Sequence, residues 1–200
     1  SSFSSSYEVI LCTTPHHLRE AASIRMDVFI AEQGFDVQDE LDENDAICAH
    51  FLLIDTANPS QGLGTLRWVP YPTGPVLESS KEAIATRSTE EGLPLGRAQT
   101  TEELTRSFVS AGQAKLGRLA ARKEVRGKKL GAKLVVDSEK WIRSILAANL
   151  SKGEQVEVGM KLHSQMQVIK FYERLGYTAS GEPFDEDGAP HMLCSKKVTI

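Results

Sequence analysis

Two hundred residues with 40% hydrophobic, 25% charged and 6% aromatic side chains describe one globular domain that can bury a core without disulfide or metal staples. No apolar run approaches the roughly 18 residues that span a bilayer, and the serine-rich residues 1–6 read as a flexible start without the cationic and apolar regions of a secretory signal. A formal net charge of -4 argues against general nucleic-acid binding, and three scattered cysteines, Cys12, Cys48 and Cys194, read as buried thiols in a reducing, cytoplasmic setting.

Residues 7–13 are rich in β-branched side chains and predict a strand. Thr14-Pro15 supplies an N-cap and a proline at the first helical position, and Leu18, Ala21, Ile24 and Val28 extend a helix over 15–31. The run 36–45, DVQDELDEND, is acidic throughout. It is followed by an apolar strand at 46–55, a turn at Asn58-Pro59 and an antiparallel partner at 62–70. Residues 72–114 form a connection of about 43 residues, longer than ordinary loops, so the segment reads as an insertion holding one short helix. Thr100 and Glu103 form a capping box there, Leu104 and Phe108 share a face, and Gly112 is a stop. A strand at 116–122 runs into a helix at 130–146 with Leu134, Trp141 and Ile145 on one stripe. A strand at 155–160, a helix at 164–175 and a hairpin of 177–180 with 191–198, bridged by FDEDGAP, close the chain. This order predicts one mixed α/β domain with a largely antiparallel sheet of six or seven strands flanked by helices.

Chemistry concentrates at 119–134, LAARKEVRGKKLGAKL. A short apolar strand enters a basic, glycine-bearing turn that opens directly into a helix. Backbone N–H groups and the positive end of the helix dipole converge there, which makes an anion site suited to phosphate. Gly127 and Gly131 permit close backbone approach, and Arg126, Lys128 and Lys129 add cations. A second segment, 163–177, carries Val168, Phe171, Tyr172 and Leu175 on one helical stripe, where Tyr172 reads either as a core aromatic or as a functional hydroxyl.

The first segment resembles the cofactor loop of the GNAT superfamily of N-acetyltransferases, Arg/Gln-x-x-Gly-x-Gly/Ala. Arg126, Leu130 and Gly131 match, and Lys129 replaces the central glycine. Tyr172 to Tyr177 resembles the family's Y-x-x-x-G-F ending. Residues 25–33 with the acidic run, and 184–191, are similar to the ElaA-like branch. The resemblance, over about 7–71 and 115–198, implies a sheet splayed at its central cofactor strand. It implies that Leu119, Ala120 and Ala121 face the pantetheine arm, and that Arg126, Gly127, Lys128, Lys129, Leu130, Gly131 and Ala132 hold the acetyl-CoA diphosphate. Gln165 then contacts CoA, and Tyr172 protonates the departing thiolate. Glu32 and Gln33 line the acceptor groove.

The expected reaction moves an acetyl group from acetyl-CoA to a primary amine, without a metal. Because an ammonium must lose a proton before attack, a base or water relay is required. The candidates are Glu32, Asp39, Glu40, Asp42, His50, His163 and His191, with His163 opening the motif helix and His191 lining the amine pocket. The acidic run suggests a cationic acceptor bound near Glu32, Gln33, Asp39, Glu40 and His191. No nucleic-acid or membrane partner is expected, and the chain reads as a monomer or homodimer. A non-catalytic CoA-binding regulator and an RNA-binding module are the rivals.

Overall fold

The structure, a computed structural model, describes residues 7–72 and 95–200. The tail 1–6 and the middle of the expected insertion, 73–94, lie outside the described residues. The strands are β1 (Tyr7–Leu11), β2 (Ala49–Asp55), β3 (Asn58–Tyr71), β4 (Gln113–Ala121), β5 (Glu157–Gln165), β6 (Thr178–Glu186) and β7 (Ala189–Thr199). They form one sheet in the order β1-β2-β3-β4-β5-β7-β6, with every neighbouring pair antiparallel except β4 and β5. The mixed, mostly antiparallel sheet matches the fold expected from the sequence.

Helices cover both faces of β2, β3 and β4, which explains why β2 is apolar at nearly every position. On one face, Phe51, Leu53, Leu66, Trp68 and Leu116 pack with α2 (Thr101–Ala111) and α3 (Leu130–Ala147). The buried Trp68 indole donates to Ser138 Oγ at 2.9 Å. On the other face, Leu52 and Ile54 meet Leu18, Ala21, Ala22 and Ile24 of α1 (Pro15–Arg25). Thr14 caps α1 as expected, and the reciprocal Thr100–Glu103 capping box and the left-handed Gly112 bound α2.

Four boundaries depart from the sequence reading. α1 ends at Arg25 and continues as a π-helix over Met26–Glu32, closed by Gln33 N to Val28 O at 3.1 Å. The extra residue per turn leaves this segment without ordinary helical periodicity. The β2–β3 turn is Thr56-Ala57, and Asn58-Pro59 opens β3 on its exposed end. β5 runs on to Gln165, so His163 sits in a strand opposite Leu193 and opens no helix; the helix shrinks to α4 (Ile169–Glu173). In FDEDGAP, Phe184 and Glu186 belong to β6. The turn itself is Asp187-Gly188, both with positive φ (53° and 77°), as a two-residue hairpin of right-handed twist requires.

The acidic run is a structural element. Arg25 forks onto Asp45 through Nη1 to Oδ1 (2.7 Å) and Nη2 to Oδ2 (3.2 Å), and its Nε reaches Glu40. Arg67 of β3 grips both Asp42 oxygens and bonds Asp45 Oδ1 at 2.6 Å. Arg118 of β4 donates to the Glu40 and Asp39 carbonyls at 3.2 and 2.9 Å and approaches the Glu40 carboxylate at 3.3 Å. Glu40, Asp42 and Asp45 are thereby neutralised internally, which removes half of the negative charge expected of residues 36–45. Burial works to raise the Asp45 carboxyl, but the Arg67 and Arg25 guanidiniums overcome it and hold the group well below the usual carboxylate range.

His50, a candidate acceptor residue in the sequence, is buried behind this cluster. Its Nε2 lies 2.9 Å from the Asp45 carbonyl and 3.2 Å from Cys48 Sγ, and it faces no cleft.

Two stability predictions follow from the cluster. Arg25→Met leaves Glu40 and Asp45 buried without their partner, so it should lower unfolding free energy by about 3–5 kcal/mol, read as a fall in urea midpoint at unchanged m-value. Burial pushes the His50 imidazole from its ordinary 6.5 down to about 4. The unfolded chain therefore binds a proton that the folded chain refuses between those values. Stability should be constant above pH 6.5 and decline as pH falls toward 4, by about 3 kcal/mol from this group. His50→Asn, less stable at pH 7, should lose much of that slope. A variant keeping the full slope would assign it elsewhere.

Candidate active site

β4 and β5 pair over only four rungs, Gln113↔Gly159 to Leu116↔Leu162. Past them β4 stays on β3 (Arg67↔Gly117, Thr65↔Ala120, Gly64↔Ala121), while β5 stays on β7 (His163↔Leu193 to Gln165↔His191). The strands therefore diverge, leaving facing backbone edges with no ladder between them. A bulge sharpens the divergence: Leu66 faces both Arg118 and Leu119, and Arg118 is left-handed at φ 55°. The opening is a cleft of about 780 Å³.

At one end lies the basic turn. Gly127 (φ 76°) and Lys129 (φ 60°) both adopt the left-handed conformation, so a lysine holds a backbone shape that favours glycine, at the position where the family motif carries one. The first α3 bond runs from Lys133 N to Lys129 O at 3.2 Å, and Lys129 provides no side-chain cap. The amides of Leu130, Gly131 and Ala132 are thus available to an anion at the positive end of an 18-residue helix. Gly131 has no positive φ, and a Cβ there would meet only the Phe171 ring at 3.8 Å. Neither backbone nor packing demands glycine at 131, whereas a closely seated ligand would.

At the other end lies an imidazole held by a carboxylate. His163 Nδ1 is 2.8 Å from Glu186 Oε1. A carboxylate only accepts, so Nδ1 carries the proton and Nε2 presents its lone pair. Donation from His163 holds the Glu186 carboxyl below its ordinary range. Phe184 packs edge-on against the ring at 4.8 Å between centroids, and His191 Nε2 lies 3.9 Å from Glu186. Lys115 Nζ is 3.3 Å from His163 Nδ1. Between the two ends stands Tyr172, edge-on to Phe171 and Tyr177. Burial, and then the neighbouring Cys194, raise its phenol above the ordinary value.

The cleft gathers much of the site expected from the sequence. Of the residues expected to hold the cofactor, Leu119, Ala121, Arg126, Gly131, Gln165 and Tyr172 line it. Of those expected to serve the acceptor, Gln33, Asp39, Glu40, His163 and His191 line it as well. Other expected residues lie elsewhere. Ala120 and Leu130 point into the two cores. Gly127, Lys128 and Lys129 are an exposed turn at the cleft's edge, and Ala132 lies on α3 beside it. Glu32 does not line the cleft; it pairs with Arg126 at 2.8 Å, which holds its carboxyl low. Glu40 borders the cleft but is committed to Arg25 and Arg118.

Lys115, Arg67 and Glu186 were not singled out by their sequence. The signal for Arg67 was present, since a lone arginine inside GLGTLRWVP must be partnered. Glu186 was hidden in a segment read as turn.

Residues 98–197 match the acetyltransferase (GNAT) domain family. The chain is 30% identical to the protein YyaT of Bacillus subtilis (strain 168), itself uncharacterised, over 190 residues covering 94% of this chain and 93% of that protein. In fold it is similar to an acyl-CoA N-acyltransferase from Pseudomonas aeruginosa, with a TM-score of 0.59 at 21% identity over 96% and 99% of the two chains. It is equally similar to Escherichia coli ElaA, with a TM-score of 0.59 at 16% identity over 96% and 99%. With the matched domain taking in the diverging strands, the basic turn and the tyrosine helix, this chain belongs to the GNAT acetyltransferase family, whose fold brings an acyl-CoA donor and an acceptor together.

Proposed function

We propose that the protein moves the acetyl group of acetyl-CoA to a primary amine by direct attack within a ternary complex. One observation carries the reading: a single opening in the sheet has a phosphate-ready helix start at one end and a carboxylate-oriented imidazole at the other. The amides of Leu130, Gly131 and Ala132, with Lys128 and Lys129, would hold the diphosphate. The unpaired edge of β4 beside Leu119 and Ala121 would pair with the amides of the pantetheine arm, as an added strand does.

The amine must arrive deprotonated. His163 Nε2, aimed by Glu186, is the base this geometry favours over Glu32, which is held as an anion by Arg126 outside the cleft. As the amine nitrogen attacks, the new C–N bond forms and the carbonyl oxygen gains charge. A backbone amide at the Arg118–Leu119 bulge is the donor placed to meet it. The oxyanion then re-forms the carbonyl as the C–S bond breaks, the thiolate takes a proton from the Tyr172 hydroxyl, and the proton shed by the new amide nitrogen restores the phenol. Burial favours the protonated phenol, keeping that donor charged with its proton at neutral pH.

No helix among the described residues is long and apolar enough to cross a membrane. We place the reaction in the cytoplasm, where acetyl-CoA and reduced thiols coexist.

CoA should raise the melting temperature, since a ligand at 100 times its Kd adds about 2.7 kcal/mol to stability. Gly131→Asp should abolish that rise while melting normally without ligand. An undiminished rise would move the cofactor site.

Thiol release from acetyl-CoA across an amine panel tests the reaction itself, and a protein that binds CoA but releases none with any amine is a regulator. Tyr172→Phe keeps the ring packing and removes the proton. It should reduce kcat about 10²-fold with CoA binding intact. Glu186→Gln should lower kcat with little change in the KM for acetyl-CoA.

A further inference from the structure

The first residues beyond the last paired rung of β4 and β5 are Gly117 and His163, and they face each other across the mouth of the opening. The β4 side of this mouth has three unexplained features. Arg67 Nε is the one buried side-chain nitrogen or oxygen without a hydrogen-bond partner among the described residues, although both terminal nitrogens of the same guanidinium bond Asp42 and Nη1 bonds Asp45 as well. Lys115 Nζ has no carboxylate within 4 Å among the described residues. Its single near neighbour, His163 Nδ1, has its proton directed at Glu186 and offers the ammonium no lone pair. Gly117 lies between them: Arg67 pairs with Gly117 and Val69 with Lys115, so alternation puts Arg67, Lys115 and Gly117 on one face.

Gly117 is not required by its backbone, since it has no positive φ. A Cβ built there would meet a single atom within 4 Å, Arg67 Nε at 3.9 Å. The space above Gly117 is therefore open. An oxygen seated slightly nearer to Arg67 than that Cβ would come within hydrogen-bond reach of Nε.

Two cationic donors without acceptors, flanking a bare glycine, make a niche for a small anion. We infer that this niche binds a carboxylate of the acceptor, so that the substrate is an α-amino acid or a similarly short amino carboxylate, held with its nitrogen toward His163. This rests on the acyl-transfer reading above and names its substrate class. The spacing suits it: strands lie about 4.8 Å apart where they pair, and the opening begins at this rung. A carboxylate at Gly117 then leaves its α-nitrogen on the His163 side. Burial lowers the Lys115 pKa, and a bound anion would offset that desolvation.

The test compares matched acceptors, each an α-amino acid, its amide and its decarboxylated amine, by kcat/KM for thiol release. In parallel, the CoA-saturated protein is titrated calorimetrically with the same compounds. The expected preference for the free carboxylate is about 10²-fold, as charge-assisted hydrogen bonds support. Gly117→Ala, which fills the niche, and Lys115→Met, which removes one cation, should each raise KM for the amino acid. For both, that rise should exceed any change in the KM for the decarboxylated amine or for acetyl-CoA.

Turnover without a carboxylate preference overturns the niche and spares the acyl-transfer reading. Carboxylate-selective binding without turnover supports the niche and overturns acyl transfer. Selectivity that survives both substitutions, or no binding of any amino acid, also overturns the niche.

Discussion

The brevity of the β4–β5 pairing is the constraint on which the rest of this protein depends. Four rungs bind the two halves of the sheet, and then each strand follows its outer neighbour. A parallel pair is the weaker kind of ladder, so opening it costs less than parting β2 from β3 or β5 from β7 would. The Arg118 bulge makes the separation permanent by inserting a residue that β3 cannot pair. A non-glycine residue in the left-handed region is unfavourable by about 1–3 kcal/mol. Its side chain reaches the Asp39 and Glu40 carbonyls and the Glu40 carboxylate, bonds that would be lost if the backbone relaxed.

Local features of the sequence were legible where the chemistry is local. The capping box at Thr100, the stop at Gly112 and the glycine-bearing turn before α3 depend on residues within a few positions of one another. The basic turn at one end of the cleft was accordingly readable, down to Gly131. At the other end the residues were named, but the partners that fix them were not. The acidic run has no basic residue within it, and its partners come from Arg25, Arg67 and Arg118, on α1, β3 and β4. Charge read along a chain suggests a solvated face or a field, whereas here the acids satisfy arginines from three separate elements, two of them buried. His163 was recognisable as a candidate, but its carboxylate partner is 23 residues away across β7.

Helix periodicity misled in one instructive place. Val168, Phe171, Tyr172 and Leu175 do share a stripe, yet the regular α-helix occupies only Ile169–Glu173. The preceding residues pair with β7 as far as Gln165. Strand pairing with a long, well-registered neighbour outweighs the weak propensity of a short amphipathic turn. That competition keeps His163 on the sheet, where Glu186 can reach it, and places Tyr172 one turn later across the cleft.

The π-helical end of α1 ties the two ends of the cleft together. Arg122 pairs with Asp27 and donates to the Gly62 carbonyl at 3.0 Å. Arg126 pairs with Glu32 and donates to the Ala121 carbonyl at 2.8 Å. One turn earlier, Arg25 is locked into the acid cluster that backs the acceptor side. The segment from Arg25 to Glu32 is thus fastened at its start to the acid cluster and at its end to the basic turn. The exposed pairs at Asp27 and Glu32 are individually weak and screened by salt, while the Arg25 fork is dry and directional. The wall backed by the acid cluster is therefore the rigid side of the cleft, and the basic turn, held by exposed pairs and by a lysine in a glycine-favouring conformation, is the side that can yield.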